Sequence, residues 1–175
     1  SLQLAEGLIK YSSTNAYSWV IYAREQRVEK DYSEACRGWY EALQLKFGTK
    51  IDPYISEALA CSPNLLEAIM SIPDDSVLLA KAGFMLMKQD AIQSANYVLQ
   101  KAATIDDYGK EKYARFLVKQ KQYEFAWQIL RHLPTVNCVI AKIKAEIGFA
   151  LHFSETPDYY QKTIELAQKN NIEVI

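Results

Sequence analysis

Two histidines, three cysteines and two pairs of adjacent acids are the side chains in this chain suited to metal binding, nucleophilic attack or proton transfer. A metal site needs ligands one helical turn apart or CxxC-type pairs. His132 and His152 stand twenty residues apart on different predicted helices. Cys36, Cys61 and Cys138 form no CxxC and no metal-like pairing with either histidine. The cysteines therefore read as small buried hydrophobes. An odd, scattered set points toward a reducing compartment, which favours the cytoplasm and leaves the periplasm open. Asp74-Asp75 and Asp106-Asp107 have the composition of a general acid–base pair. Each stands where a helix begins, however, and acids there cap free amides and complement the helix dipole. His132 precedes Leu133-Pro134 and is expected at a helix C-terminus. The sequence holds no P-loop, no GxGxxG and no GxSxG. The expectation is a noncatalytic chain with no cofactor and no metal.

Bulk properties narrow the partners. At 175 residues the chain suits one domain with one core, and an apolar fraction of 50% argues against disorder. A formal net charge of −1 lacks the basic excess of a nucleic-acid binder. The runs Lys110-Glu111-Lys112 and Lys119 to Lys121 read as solvated helix faces. No eighteen-residue apolar run exists, so no direct membrane insertion is expected. The chain begins at Ser1 and not at Met, without a visible signal peptide, and reads as a piece of something longer.

These residues are positioned by helices. Apolar side chains recur at helical spacing throughout, and no alternating strand or Asn-Gly hairpin turn interrupts them. Helices are expected over 2–11, 15–29, 31–46, 53–60, 63–71, 76–88, 91–103, 108–119, 122–132, 136–152 and 157–170. Asn15 and Asp31 read as N-caps, with Glu34 completing a capping box. Ser62-Pro63 and Thr156-Pro157 read as a cap followed by proline at the first helical position. Very short joints force neighbouring helices to run antiparallel and to share their apolar faces.

A repeat underlies the pattern. Small residues stand at Ala23, Gly83, Ala114 and Gly148, spaced 60, 31 and 34 apart. Twelve positions after each come Ala35, Ala95, Ala126 and Tyr160, and nineteen after each come Ala42, Ala102, Leu133 and Ala167. The first two sets are expected where two helices of a pair cross most closely, and the third against the next repeat. With the small residue as position eight, position four reads Trp19, Leu79, Lys110 and Lys144, and position twenty-four reads Trp39, Leu99, Leu130 and Ile164. Lys30-Asp31-Tyr32-Ser33-Glu34-Ala35 forms a polar-Asp-Tyr-x-x-Ala turn, and Lys121 to Ala126 is a weaker copy. The pattern resembles the tetratricopeptide repeat, with W-x2-L-G-x2-Y…A-x3-F…P over thirty-four residues. The array is degenerate: the terminal proline is missing from all four copies, Tyr160 is large, and position four is Lys twice. A Sel1-like helical hairpin ranks second.

The resemblance implies an all-α superhelix, a solenoid of stacked antiparallel helix pairs in one domain over 1–175. It would comprise a truncated leading helix (1–14), repeats at 15–46, 76–105, 107–133 and 136–170, and a shortened irregular repeat at 50–72. It implies a concave groove lined by first-helix positions two, five, nine, twelve and thirteen. In this chain those include Tyr17, Val20, Arg24, Arg27, Val77, Ala80, Phe84, Met87 and Lys88. Further along they include Tyr108, Glu111, Arg115, Val118, Lys119, Lys142, Ala145, Phe149, His152 and Phe153. Such a surface suits a peptide with apolar anchors and acidic character. Position nine carries no Asn, so the carboxylate clamp of chaperone-binding members is incomplete. The implied function is a protein-interaction scaffold that binds a peptide or partner protein. The alternative is a regulatory or self-association domain, with homo-oligomers, appended to a larger enzyme or secretion protein of the membrane or cell envelope.

Overall fold

Most helices in this chain begin at a side chain that accepts hydrogen bonds from the first free amides. A computed structural model describes residues 2–45, 50–135, 137–152 and 156–169, with the side chains of Tyr160 and Ala167 outside that description. Among the described residues it is all-α, with eleven helices and no strand. They are α1 (Leu2–Tyr11), α2 (Ala16–Val28), α3 (Tyr32–Gln44), α4 (Asp52–Ala58), α5 (Leu65–Met70) and α6 (Ser76–Lys88). Then follow α7 (Ile92–Ala103), α8 (Asp107–Lys119), α9 (Tyr123–Leu130), α10 (Cys138–Ala150) and α11 (Thr156–Lys169). Asn15 caps α2, Asp31 caps α3, Asp75 caps α6, Asp106 caps α8 and Asn137 caps α10. Each satisfies backbone donors that a helix start leaves free.

Two predicted caps are built differently. Glu34 does not close a capping box: the Asp31 amide donates to Gln26 O at 3.0 Å, and the Glu34 carboxylate turns to Tyr22 and Arg37. A charged, planar partner outcompetes a backbone amide for a carboxylate. Ser62 does not cap α5; Asn64 does, accepting from the Leu66 amide at 3.1 Å. The Ser62 hydroxyl accepts from the Asn64 amide and donates to Glu67 at 2.5 Å, so the helix starts two residues later than Pro63 suggests. Of the predicted joint at 47–50, residues 47–49 lie outside the described residues.

One turn is used three times. Lys30, Asp90 and Lys121 adopt left-handed backbone with φ of 65°, 62° and 59°. After each, an amide reaches back five residues: Asp31 to Gln26, Ala91 to Leu86 and Gln122 to Leu117, at 3.0, 2.9 and 2.9 Å. This closes α2, α6 and α8 in the same Schellman-type manner and folds the next helix back.

The chain divides into two compact units, Ser1–Val98 and Leu99–Ile175, with α7 carrying the boundary. In the first, α2 packs on α3, and α4 touches both α3 and α6. Its fully buried large side chains are Trp39, Leu43, Ile55, Ile72, Leu79, Leu86 and Val98. In the second, α8 packs on α9, α10 on α11, and α10 also touches α8. Leu99, Phe116, Leu117, Leu130 and Ile147 are buried there. Ala23, Ala35, Ala42, Ala95, Ala102, Ala114 and Ala126 are completely buried, and Gly83 and Gly148 are buried too. The side chain of Ala167 lies outside the described residues.

Close crossings involve a glycine of that set and two outside it: a Cβ on Gly148 would stand 2.6 Å from Thr156 Oγ1. A Cβ on Gly38 would stand 2.9 Å from Ala23 Cβ, so α2 and α3 come close where Ala faces Gly. A Cβ on Gly109 would collide with the backbone carbonyl of Ala102, fixing how near the end of α7 comes to the start of α8.

Candidate functional site

The first helix of each pair turns a stripe of side chains to solvent. On α2 the stripe is Tyr17, Ile21, Arg24 and Val28, with Arg27 beside it. This stripe has a neighbour. Arg24 makes a two-pronged ion pair with Glu57 of α4, at 2.8 and 2.7 Å, which holds its guanidinium firmly protonated. The Tyr17 ring meets Tyr54 of α4 edge-on at 6.3 Å. On α6, Lys81 pairs with Asp52 of α4, Phe84 and Met87 are half-buried, and Val77 and Lys88 are exposed. Thus α4 supplies one carboxylate to each first helix beside it, and two cations of this unit's face are neutralised.

The second unit differs. Along α8 the stripe is Tyr108, Lys112, Arg115 and Lys119; along α10 it is Val139, Lys142, Glu146 and Phe149. Lys112 Nζ sits 4.6 Å from the Tyr108 ring centroid and pairs with Glu111 at 2.8 Å. Arg115, Lys119 and Lys142 are exposed, and among the described residues no acid pairs with them. Phe149 is 71% exposed, which is unusual for a phenyl ring.

Several residues assigned to the groove stand elsewhere. Position five is core in every copy: Val20, Ala80, Glu111 and Ala145 are buried, as is Val118. The reason is phase. These side chains lie on the face that packs against neighbouring helices, not on the solvent stripe. His152 is in the turn after α10, with φ of 56°, and not on a helical face. Phe153 lies outside the described residues.

Two networks, one partly exposed and one buried, escaped the pattern reading. Tyr22 Oη donates to Glu34 at 2.5 Å, and Arg37 donates to the same carboxylate while lying 5.7 Å from both the Trp19 and Tyr22 ring centroids. Arg37, and then Tyr22, hold the Glu34 carboxyl below its ordinary range; burial, and then Glu34, push the Tyr22 phenol up. In the second unit Lys144 is buried, donating to Leu133 O at 2.6 Å and Thr135 Oγ1 at 3.2 Å, with the Tyr159 ring at 5.9 Å. Burial pulls its pKa down. A lysine at position four was legible as a departure from the repeat; its burial was not.

The cysteine reading is overturned. Cys36 and Cys61 are joined in a disulfide, with Cα atoms 5.2 Å apart, and only Cys138 is free. The return of the chain through α4 brings together two residues 25 apart, which no spacing rule reveals. The cysteine count therefore gives no ground for a reducing compartment.

The acid pairs act at helix starts. Asp75 accepts from Val77 and Leu78, Asp106 accepts from Gly109, and Asp107 pairs with Lys110 at 2.8 Å. A cleft of about 450 Å³ in the second unit gathers Asp107, Lys110, Tyr113, Gln128 and His132. Its one lysine is already occupied by Asp107. Among the described residues no three His, Cys, Asp or Glu side chains could hold a metal ion, and no helix is long and apolar enough to cross a membrane. No protein-family model matches the chain, and no curated protein matches it. What the described residues define is two all-α units, each built from helices that pack on their chain neighbours.

Proposed function

We propose that this chain is a noncatalytic interaction module of tetratricopeptide-like helix pairs that binds an acidic segment of a partner protein. The observation that carries the reading is the solvent face of α8 and α10. Arg115, Lys119 and Lys142, which have no acid partner among the described residues, are exposed on the same two touching helices as Phe149 and Tyr108. Rigid helices hold those groups in place before a partner arrives, so little entropy is lost on the module's side. The recurring turn at Lys30, Asp90 and Lys121 supports the repeat reading. A dye-labelled peptide with Glu and Asp flanking a Phe tests it by fluorescence anisotropy. Binding should weaken with salt. It should fall about tenfold or more in an Arg115→Glu, Lys119→Glu variant of unchanged helicity. Equal binding of a peptide with Gln and Asn in place of the acids refutes the assignment.

Self-association is the second reading, and α1 favours it. Leu4, Leu8 and Tyr11 share one face of that helix and are 71%, 43% and 89% exposed. Sedimentation of wild-type chain beside a Leu4→Glu, Leu8→Glu variant decides: a wild-type dimer that becomes a monomer supports it, and a monomer throughout removes it.

A further inference from the structure

The segment holding α4 and α5 is built from helices of seven and six residues, too short to persist without outside support. Cys61 stands between them and is bonded to Cys36 in α3. Both cysteines are buried, Cys36 at 6% exposure, but only Cys36 borders a cleft among those described. Cys61 is completely buried. Cys36 forms part of the wall of a solvent-open cleft of about 360 Å³, together with Ser33, Arg37, Tyr40, Glu67 and Met70. The same segment carries Glu57 and Asp52, the acids that neutralise Arg24 and Lys81.

We propose that the Cys36–Cys61 bond is a redox modification site, at which a dithiol reductant loosens α4 and α5 and uncovers the cations of α2 and α6. A thiolate of the dithiol attacks Cys36 Sγ from the cleft. A new sulfur–sulfur bond forms there, the Cys36–Cys61 bond breaks, and Cys61 leaves as a thiolate that takes up a proton. The second thiol of the reductant gives up its proton and attacks its own sulfur in the mixed disulfide. Cys36 then leaves as a thiolate and is protonated. Two electrons have passed from the dithiol to the protein, and the dithiol ends as a disulfide. The Tyr22–Glu34–Arg37 brace between α2 and α3 contains no sulfur and survives. Reduction therefore changes the first unit's face from neutralised to cationic. That consequence rests on the proposed acidic partner; the chemical step does not.

The test uses the oxidised 175-residue chain in native buffer at about pH 8, where a dithiol is partly ionised. Dithiothreitol is added, followed by iodoacetamide with mass analysis, and amide exchange is measured in parallel. Cys36 and Cys61 should both become alkylated without denaturant. Exchange over residues 52–70 should rise roughly tenfold or more, exchange over 107–119 and 138–150 should hold, and reoxidation should reverse the change. Alkylation that needs denaturant, unchanged exchange over 52–70, or exchange rising along the whole chain overturns the proposal. A Cys36→Ser, Cys61→Ser variant should show the raised exchange without any reductant. None of these readouts needs a partner, so peptide binding and the redox step fail separately.

Discussion

At the scale of single residues, the most costly placement is Lys144. Its ammonium is removed from water with a backbone carbonyl, a hydroxyl and a ring face for company, and among the described residues no carboxylate pairs with it. Desolvation disfavours the charged form, so the folded pKa lies below the ordinary lysine value of 10.5. The sign of the pH effect follows. Between the lowered folded pKa and 10.5 the unfolded chain binds the extra proton, and stability rises with pH across that window. Tyr22 and Tyr113 act oppositely: their phenols are raised above 10.0, so their contribution is present below 10.0 and is lost as pH rises through the folded value. The Lys144 effect is therefore isolated as a difference. A Lys144→Met variant should lose the rising component, so the melting temperature of wild type minus variant should climb as pH is raised toward 10.5. A flat difference shows that the ammonium keeps enough solvent contact to titrate normally. The residue scale also shows where pattern reading stops. The repeat resemblance placed Arg24 in a groove, but did not show that Glu57, 33 residues later, neutralises it.

At the scale of elements, the joints carry most of the instruction. Asn15, Asp31, Asp75 and Asp106 were legible as caps because a short polar side chain before an apolar-periodic run has a local mechanism. The Schellman turns were less legible, because their left-handed positions hold Lys30, Asp90 and Lys121 in place of the usual glycine. A lysine in that conformation is strained, and an aspartate less so, since its short polar side chain tolerates left-handed backbone better. Lys121→Gly and Lys30→Gly should therefore each stabilise the chain by about 0.5 to 1 kcal/mol, after allowing for glycine's greater freedom when unfolded. Asp90→Gly should gain less. Denaturant midpoints at constant slope measure all three. Destabilisation by either lysine variant means that the side chain makes a contact worth more than the backbone relief. The disulfide lay beyond reach at this scale for a different reason: Cys61 sits in a joint between two very short helices, and their packing, not their pattern, aims it at α3.

At the scale of the whole molecule, all-α architecture was legible because helical periodicity and brief joints leave no other way to bury the apolar stripes. The solvent-facing stripes were partly legible. The repeat frame assigned all eight of Tyr108, Arg115, Lys119, Phe149, Val20, Ala80, Glu111 and Ala145 to one groove; the first four are exposed and the last four are core. A frame carries position within a repeat, but it does not carry the local rotation of each helix about its own axis, which decides what faces water. The same local packing sets a hierarchy of stability inside each unit. In the first, α1 buries only Ala5 among its ten residues, whereas α2 and α3 bury six each. Regions with few buried contacts open with the smallest free energies. Amides of α1 should therefore exchange well ahead of those in α2 and α3, by roughly tenfold or more. The experiment also reports on the exposed Leu4, Leu8 and Tyr11. Protection of α1 that is high in concentrated protein and falls on dilution means that a second copy covers that face. Protection that is low at every concentration means that α1 stands open, and the self-association reading fails with it.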